Sequence, residues 1–222
     1  MIALLRYQAA LLAGSYRWLP PVICYAAFLA IGVQSGDPIL DAFGWAAGGL
    51  LPVAVWLTRV CVTNEPPAAR ACAAAAAGPG RVHLAGVLTA AGAGLLLALL
   101  GAALVVLVSD PRSADHHVDV PVLPAAGAGL LAALACVLMG TAIGALCNRP
   151  VLRSPGWGIP AGLTAALLLL VVGASPANAA VSGLVTGSAH GTISTPWLPL
   201  AATVLIASAA TAVACGLSSR RS

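Results

Sequence analysis

Long apolar runs separated by short polar breaks organise this chain from end to end. The runs fall at about 18–35, 42–63, 82–108, 122–147, 159–174 and 196–217. About 20 apolar residues at 1.5 Å rise cross a hydrocarbon core of about 30 Å, so the pattern predicts six transmembrane helices. The first and fifth runs are close to the lower length limit for a span. An even number of spans places both termini on one side of the membrane.

The breaks between the runs carry their own local signals. Residues 1–17, "MIALLRYQAALLAGSYR", are apolar but hold Arg6, Gln8, Ser15 and Arg17, and Pro20-Pro21 follows. A proline pair suits the first turn of a new helix, so the expectation is a short interfacial helix, a bend, and then the first span. A single tilted helix from Ala10 is the alternative. After the second run comes "TNEPPAARACAAAAAGPGR". Asn64 is a good N-cap, Glu65 suits the positive end of a helix dipole, two prolines fit a first turn, and Gly78-Pro79 is a stop. Together they predict a helix over 65–77, either docked into a partner's groove or lying on the membrane as a plain connector. Before the last run, "ASPANAAVSGLVTGSAHGTIST" (174–195) is too mild for a solvent loop and too broken for a span. It reads either as a segment dipping partway into the membrane or as a surface loop.

Composition fixes the class. The 222 residues are 60% hydrophobic and 7% charged with mean hydropathy +1.00, against about 25% charged in a soluble domain. The chain therefore reads as one all-α integral membrane domain over residues 1–222, with membrane lipid as its surroundings. Nine of the ten arginines (Arg6, Arg17, Arg59, Arg70, Arg81, Arg149, Arg153, Arg220 and Arg221) fall on one side of the predicted spans, and Arg112 alone on the other. The positive-inside rule makes the arginine side cytoplasmic, termini included, and predicts a multi-pass protein of the cell's inner (cytoplasmic) membrane. The net charge of +4 is topology information, not a nucleic-acid signal. The first run is an anchor rather than a cleaved signal, because five runs follow it and no clear cleavage site does. None of the six cysteines falls in an outer loop, so they read as apolar thiols with no disulfide framework.

Several chemistries are excluded or weak. The chain has no lysine, which removes a phosphate-loop ATPase and Schiff-base chemistry. No H-E-x-x-H pattern supports a zinc protease. The runs hold no ionisable residue near their centres, which disfavours coupling through an intramembrane carboxylate. The loop "SDPRSADHHVDVP" clusters Asp110, Asp115, His116, His117 and Asp119, which reads as a solvated loop with divalent-metal ligation as the lesser alternative. No nucleophile, base and acid converge, so no catalytic, cofactor or metal residue is assigned and the chain is not read as an enzyme. Gly44-x-x-x-Gly48 and Gly140-x-x-x-Gly144 permit close helix approach, and the tryptophans read mostly as interfacial anchors.

Six spans with cytoplasmic ends, an amphipathic N-terminal segment, a glutamate-bearing helix ending in Gly-Pro-Gly-Arg (78–81) and an interrupted stretch before the last span together resemble the membrane subunit of type 2 ABC transporters. The sequence-specific part is Glu65 and "AGPGRVHLAGVL" at 77–88. This chain departs from the family pattern with Pro66 directly after the glutamate and glycine at 86, where basic residues are usual. The resemblance implies a permease, an exporter by analogy, whose loop helix is a coupling helix seated in a separate ATP-binding ATPase subunit. It also implies a second permease subunit, identical or not, a re-entrant segment before the last span, and Glu65, Arg70 and Arg81 as the ATPase contacts. Two other classes fit the pattern: a non-transporting integral membrane subunit or assembly factor, and a secondary carrier. The substrate is not written in the sequence.

Overall fold

Helices account for the secondary structure of the computed structural model, which describes residues 1–147 and 158–220. Among the described residues there are nine: α1 (Ile2–Gly14), α2 (Leu19–Gly32), α3 (Ile39–Thr63), α4 (Pro67–Ala77), α5 (Pro79–Val108), α6 (Val122–Leu146), α7 (Gly158–Val171), α8 (Pro176–His190) and α9 (Trp197–Arg220). Arg149, Arg153, Trp157 and Arg221, which entered the reading of topology and anchoring, lie outside the described residues.

Four helices, α3, α5, α6 and α9, are long and apolar enough to cross a membrane. At 1.5 Å per residue each exceeds a core of about 30 Å, so the chain is a multi-pass membrane protein. The pair α7 and α8 passes the same test only when joined, bent by 47° at the break between them. Among the described residues that makes four spans, or five with the bent pair, where the hydropathy pattern predicts six. The first predicted span contributes only the 14 residues of α2, about 21 Å of helix. The predicted helix, bend and helix at the N-terminus are present. Pro20 and Pro21 stand in the first turn of α2, and Tyr16, at φ 54, turns the chain between α1 and α2.

Burial orders the helices around α3. Within the apolar windows, 72% of α3 is buried against 22% of α5 and 17% of α9, so α3 is the axis and the other two are peripheral. It packs on α6, α5, α8, α2 and α7. The tightest crossing uses small residues, because only they let helix backbones approach this closely. A Cβ placed on Gly140 would lie 2.5 Å from the Leu51 carbonyl oxygen, and one on Gly144 2.5 Å from Thr58 Cβ. The Gly140-x-x-x-Gly144 face is therefore spent inside the chain, on α3. On the other flank, Tyr25 of α2 donates to the Ala46 carbonyl at 3.2 Å, and its hydroxyl fills the space that a side chain at Gly101 of α5 would take.

The segment before the last span is largely helical. Its contacts follow α3 in one direction: Gly162 of α7 abuts Val55, Gly44 meets Val181 and Val185 of α8, and Gly187 meets Leu40. After Gly191 the chain doubles back on α8, with Thr192 N–H on the Gly187 carbonyl and the Ser194 hydroxyl on the Gly183 carbonyl. Backbone hydrogen bonds tie the acidic end together. Ile39 N–H donates to the Asp110 carbonyl at 3.0 Å and Asp110 N–H to the Asp37 carbonyl at 2.9 Å.

Candidate functional site

Prolines decide where α4 begins. A proline disfavours helical backbone in the residue before it, so Pro67 leaves Pro66 extended, with ψ 144, and itself opens the helix. Asn64 is consequently the C-cap of α3 rather than the N-cap of α4, a correction to the sequence reading. Its Nδ2 donates to the Leu11 carbonyl of α1 at 2.9 Å. The predicted start at 65 moves to Pro67, and the predicted end at Ala77 holds. Gly78 closes α4 at φ 89, a region that favours glycine, and donates its N–H to the Ala74 carbonyl at 2.8 Å. Pro79 then opens α5, so a single residue joins the two helices.

The three residues expected at a partner contact occupy different environments. Glu65 turns inward and is 8% exposed. Its Oε2 accepts from Gln8 Nε2 of α1 at 3.3 Å, and its Oε1 has no partner. Partial desolvation, and then the same carboxylate, push the nearby Tyr7 phenol up from its ordinary pKa. Arg70 does not reach for Glu65; its Nη1 donates to the Val62 carbonyl at 3.0 Å, capping the last turn of α3 as a basic side chain suits a helix C-terminus. Arg81 is exposed and has no hydrogen-bond or ion-pair partner among the described residues.

Two residues without an assigned role join this junction. Gln8 supplies the hydrogen bond to Glu65, and His83, 2% exposed, brings two ring nitrogens that have no partner. Gln8, Cys61, Glu65, Arg70 and His83 share the wall of a cavity of about 10 Å³, the size that admits one water molecule. A polar side chain in the middle of an apolar amphipathic segment was the signal for Gln8. His83 carried no comparable signal, because its position relative to Glu65 depends on how α5 packs back on α3.

The ends of several helices meet at this junction. It pins α1 to the end of α3 and to the root of α4, while α4 itself buries no residue and packs chiefly on α5. Ala68, Ala71, Cys72, Ala75 and Ala76 leave it a smooth exposed surface.

At the opposite end Arg112 lies between Asp110, at 3.9 Å, and Asp119, at 3.7 Å, and His116 Nδ1 is 3.9 Å from Asp110. Among the described residues no three His, Cys, Asp or Glu side chains converge as metal ligands. All six cysteines are free: Cys61 and Cys136 are buried as apolar thiols, whereas Cys24 and Cys72 are exposed. Comparison with known proteins finds no matching family model, no matching curated protein and no matching solved structure.

Proposed function

We propose that the chain is the permease subunit of an ATP-driven ABC transporter, working as an exporter with a second permease and with a separate ATPase docked on α4. The observation that carries this reading is α4: a short helix outside the apolar runs, with no residue buried in its own chain, attached rigidly at both ends. At its root Asn64 and Glu65 are hydrogen-bonded to α1, and at its far end one residue, Gly78, separates it from the 30-residue α5. A force on α4 is thereby delivered to α5, which packs on α3 and α6, with little slack for the joint to absorb. Six crossings with cytoplasmic ends, counting α2 as the first and the bent α7–α8 pair as the fifth, belong to the same reading. ATP binding would shift the permease pair between inward and outward access by its differential affinity for the two states.

The burial of Glu65 changes how its role is described. It holds the base of the coupling helix, and the contact surface itself is formed by Arg81 and the exposed face of α4, with Arg70 capping behind it. The test is purification of the full chain from its own cells, where the expected companion is a separate ATP-binding ATPase subunit. Arg81→Glu and Ala75→Trp, both at exposed positions, lower co-purification with that ATPase while the spans stay folded. Full retention of association in both variants would remove α4 as the docking element.

A further inference from the structure

A long groove runs along α3 on the flank away from the α6 crossing. Its volume is about 620 Å³, and its wall comes from α2, α3, α7 and α8. Along α3 it reaches from Asp41 to Trp56, fifteen residues or about 22 Å. Two sequence features open it. Gly48 carries no side chain and faces open space, since a Cβ placed there meets nothing within 4 Å. Pro52 lacks an N–H, so the Gly48 carbonyl loses its helical donor inside the groove wall.

The lining is apolar and aromatic except at one end. Leucines and valines of α7 and α8 form one side. Trp45 stacks on Phe28 with centroids 4.4 Å apart and remains 41% exposed, and Trp56 closes the far end. Asp41 is the single charged residue of the wall. The helix starts at Ile39, three residues ahead of the apolar run at 42–63, which brings Asp41 into the first turn of α3. Its electrostatic neighbours are the Ser188 hydroxyl and a second carboxylate, Asp37. Among the described residues no cation pairs with Asp41; Arg112 of the loop between α5 and α6 lies against Asp110 and Asp119. An unpaired carboxylate at the end of an apolar groove is costly, and a positive charge placed there offsets that cost.

We propose that this groove binds an amphipathic cation: an aromatic or aliphatic body lying along α3 between Trp45 and Trp56, with its single positive head against Asp41. The tryptophan faces add cation–π attraction for a delocalised or quaternary head. An anionic phospholipid is repelled at Asp41, and a zwitterionic one brings its phosphate along with its ammonium, so a lone positive head matches the charged end better. Only the step that makes this ligand the transported substrate rests on the permease reading.

Binding is tested on the full chain in nanodiscs without any ATPase, by equilibrium dialysis against tetraphenylphosphonium and the isosteric anion tetraphenylborate, with empty nanodiscs as the baseline. The expected result is saturable binding of the cation above baseline and none of the anion. Asp41→Asn weakens the cation by about tenfold or more, the loss of one partly buried charge pair. Gly48→Leu fills the groove from a position with room for a side chain and abolishes saturable binding. Equal binding of both ions, or cation binding untouched by either variant, overturns the proposal and assigns the groove to lipid or to a packing partner. Failure here leaves docking on α4 standing, and failure of ATPase association leaves the binding result standing.

Discussion

Glu65 is the only glutamate in the chain, and the sequence presents it as an isolated anion among arginines. Its isolation was legible; the direction it faces was not, because its partner Gln8 is 57 residues away. A buried carboxylate with one unpartnered oxygen is held at a cost. Two substitutions separate the charge from the bond. Gln8→Ala removes a donor to the carboxylate and destabilises the α1 attachment by about 1 kcal/mol, the scale of one long hydrogen bond. Hydrogen exchange in α1 then accelerates relative to α3. Glu65→Gln keeps an acceptor for Gln8, removes the buried charge and brings an amide donor toward the His83 ring, so thermal unfolding in detergent shows no loss of stability. A loss as large as that of Gln8→Ala would mean that the charge itself holds α1.

Among elements, the glycines show what local pattern conveys and what it omits. A chain with 24 glycines contains many small-x-x-x-small pairs, and spacing alone does not say which helix each will meet. Gly140 and Gly144 are covered by α3, whereas Gly48, in the other conspicuous pair, faces the open groove. The same substitution therefore has opposite effects. Gly140→Ala pushes a methyl to 2.5 Å from a backbone oxygen that cannot step aside, and costs about 1–3 kcal/mol. Gly48→Ala gains helix propensity in open space and stabilises by up to about 1 kcal/mol. Paired thermal melts in one detergent check both signs. The extent of α4 was readable from its prolines and its alanine run, but its cap was not: Pro67 fixes the start, and Asn64 is drawn to α1 instead.

Across the whole molecule, hydropathy located each long helix to within a few residues, since α3, α5, α6 and α9 overlap four predicted runs almost completely. It overstated the first and fifth runs. Length in apolar residues does not reveal that α2 stops at Gly32 after 14 residues, or that α7 reaches spanning length only when joined to α8. The distribution of arginine predicts the orientation, and Cys72, exposed on α4, tests it. In sealed inverted vesicles a membrane-impermeant maleimide labels Cys72, while in intact spheroplasts it does not; the reverse pattern would turn the topology over. In the proposed permease, α4 transmits ATP-driven movement to α5 through Gly78, the single residue between them. The deciding measurement is ATP turnover by the co-purified ATPase reconstituted with this chain in liposomes. The chain raises turnover, and insertion of two glycines after Gly78 abolishes the rise while the ATPase remains bound. Turnover indifferent to the chain, or a rise that survives the insertion, would contradict it.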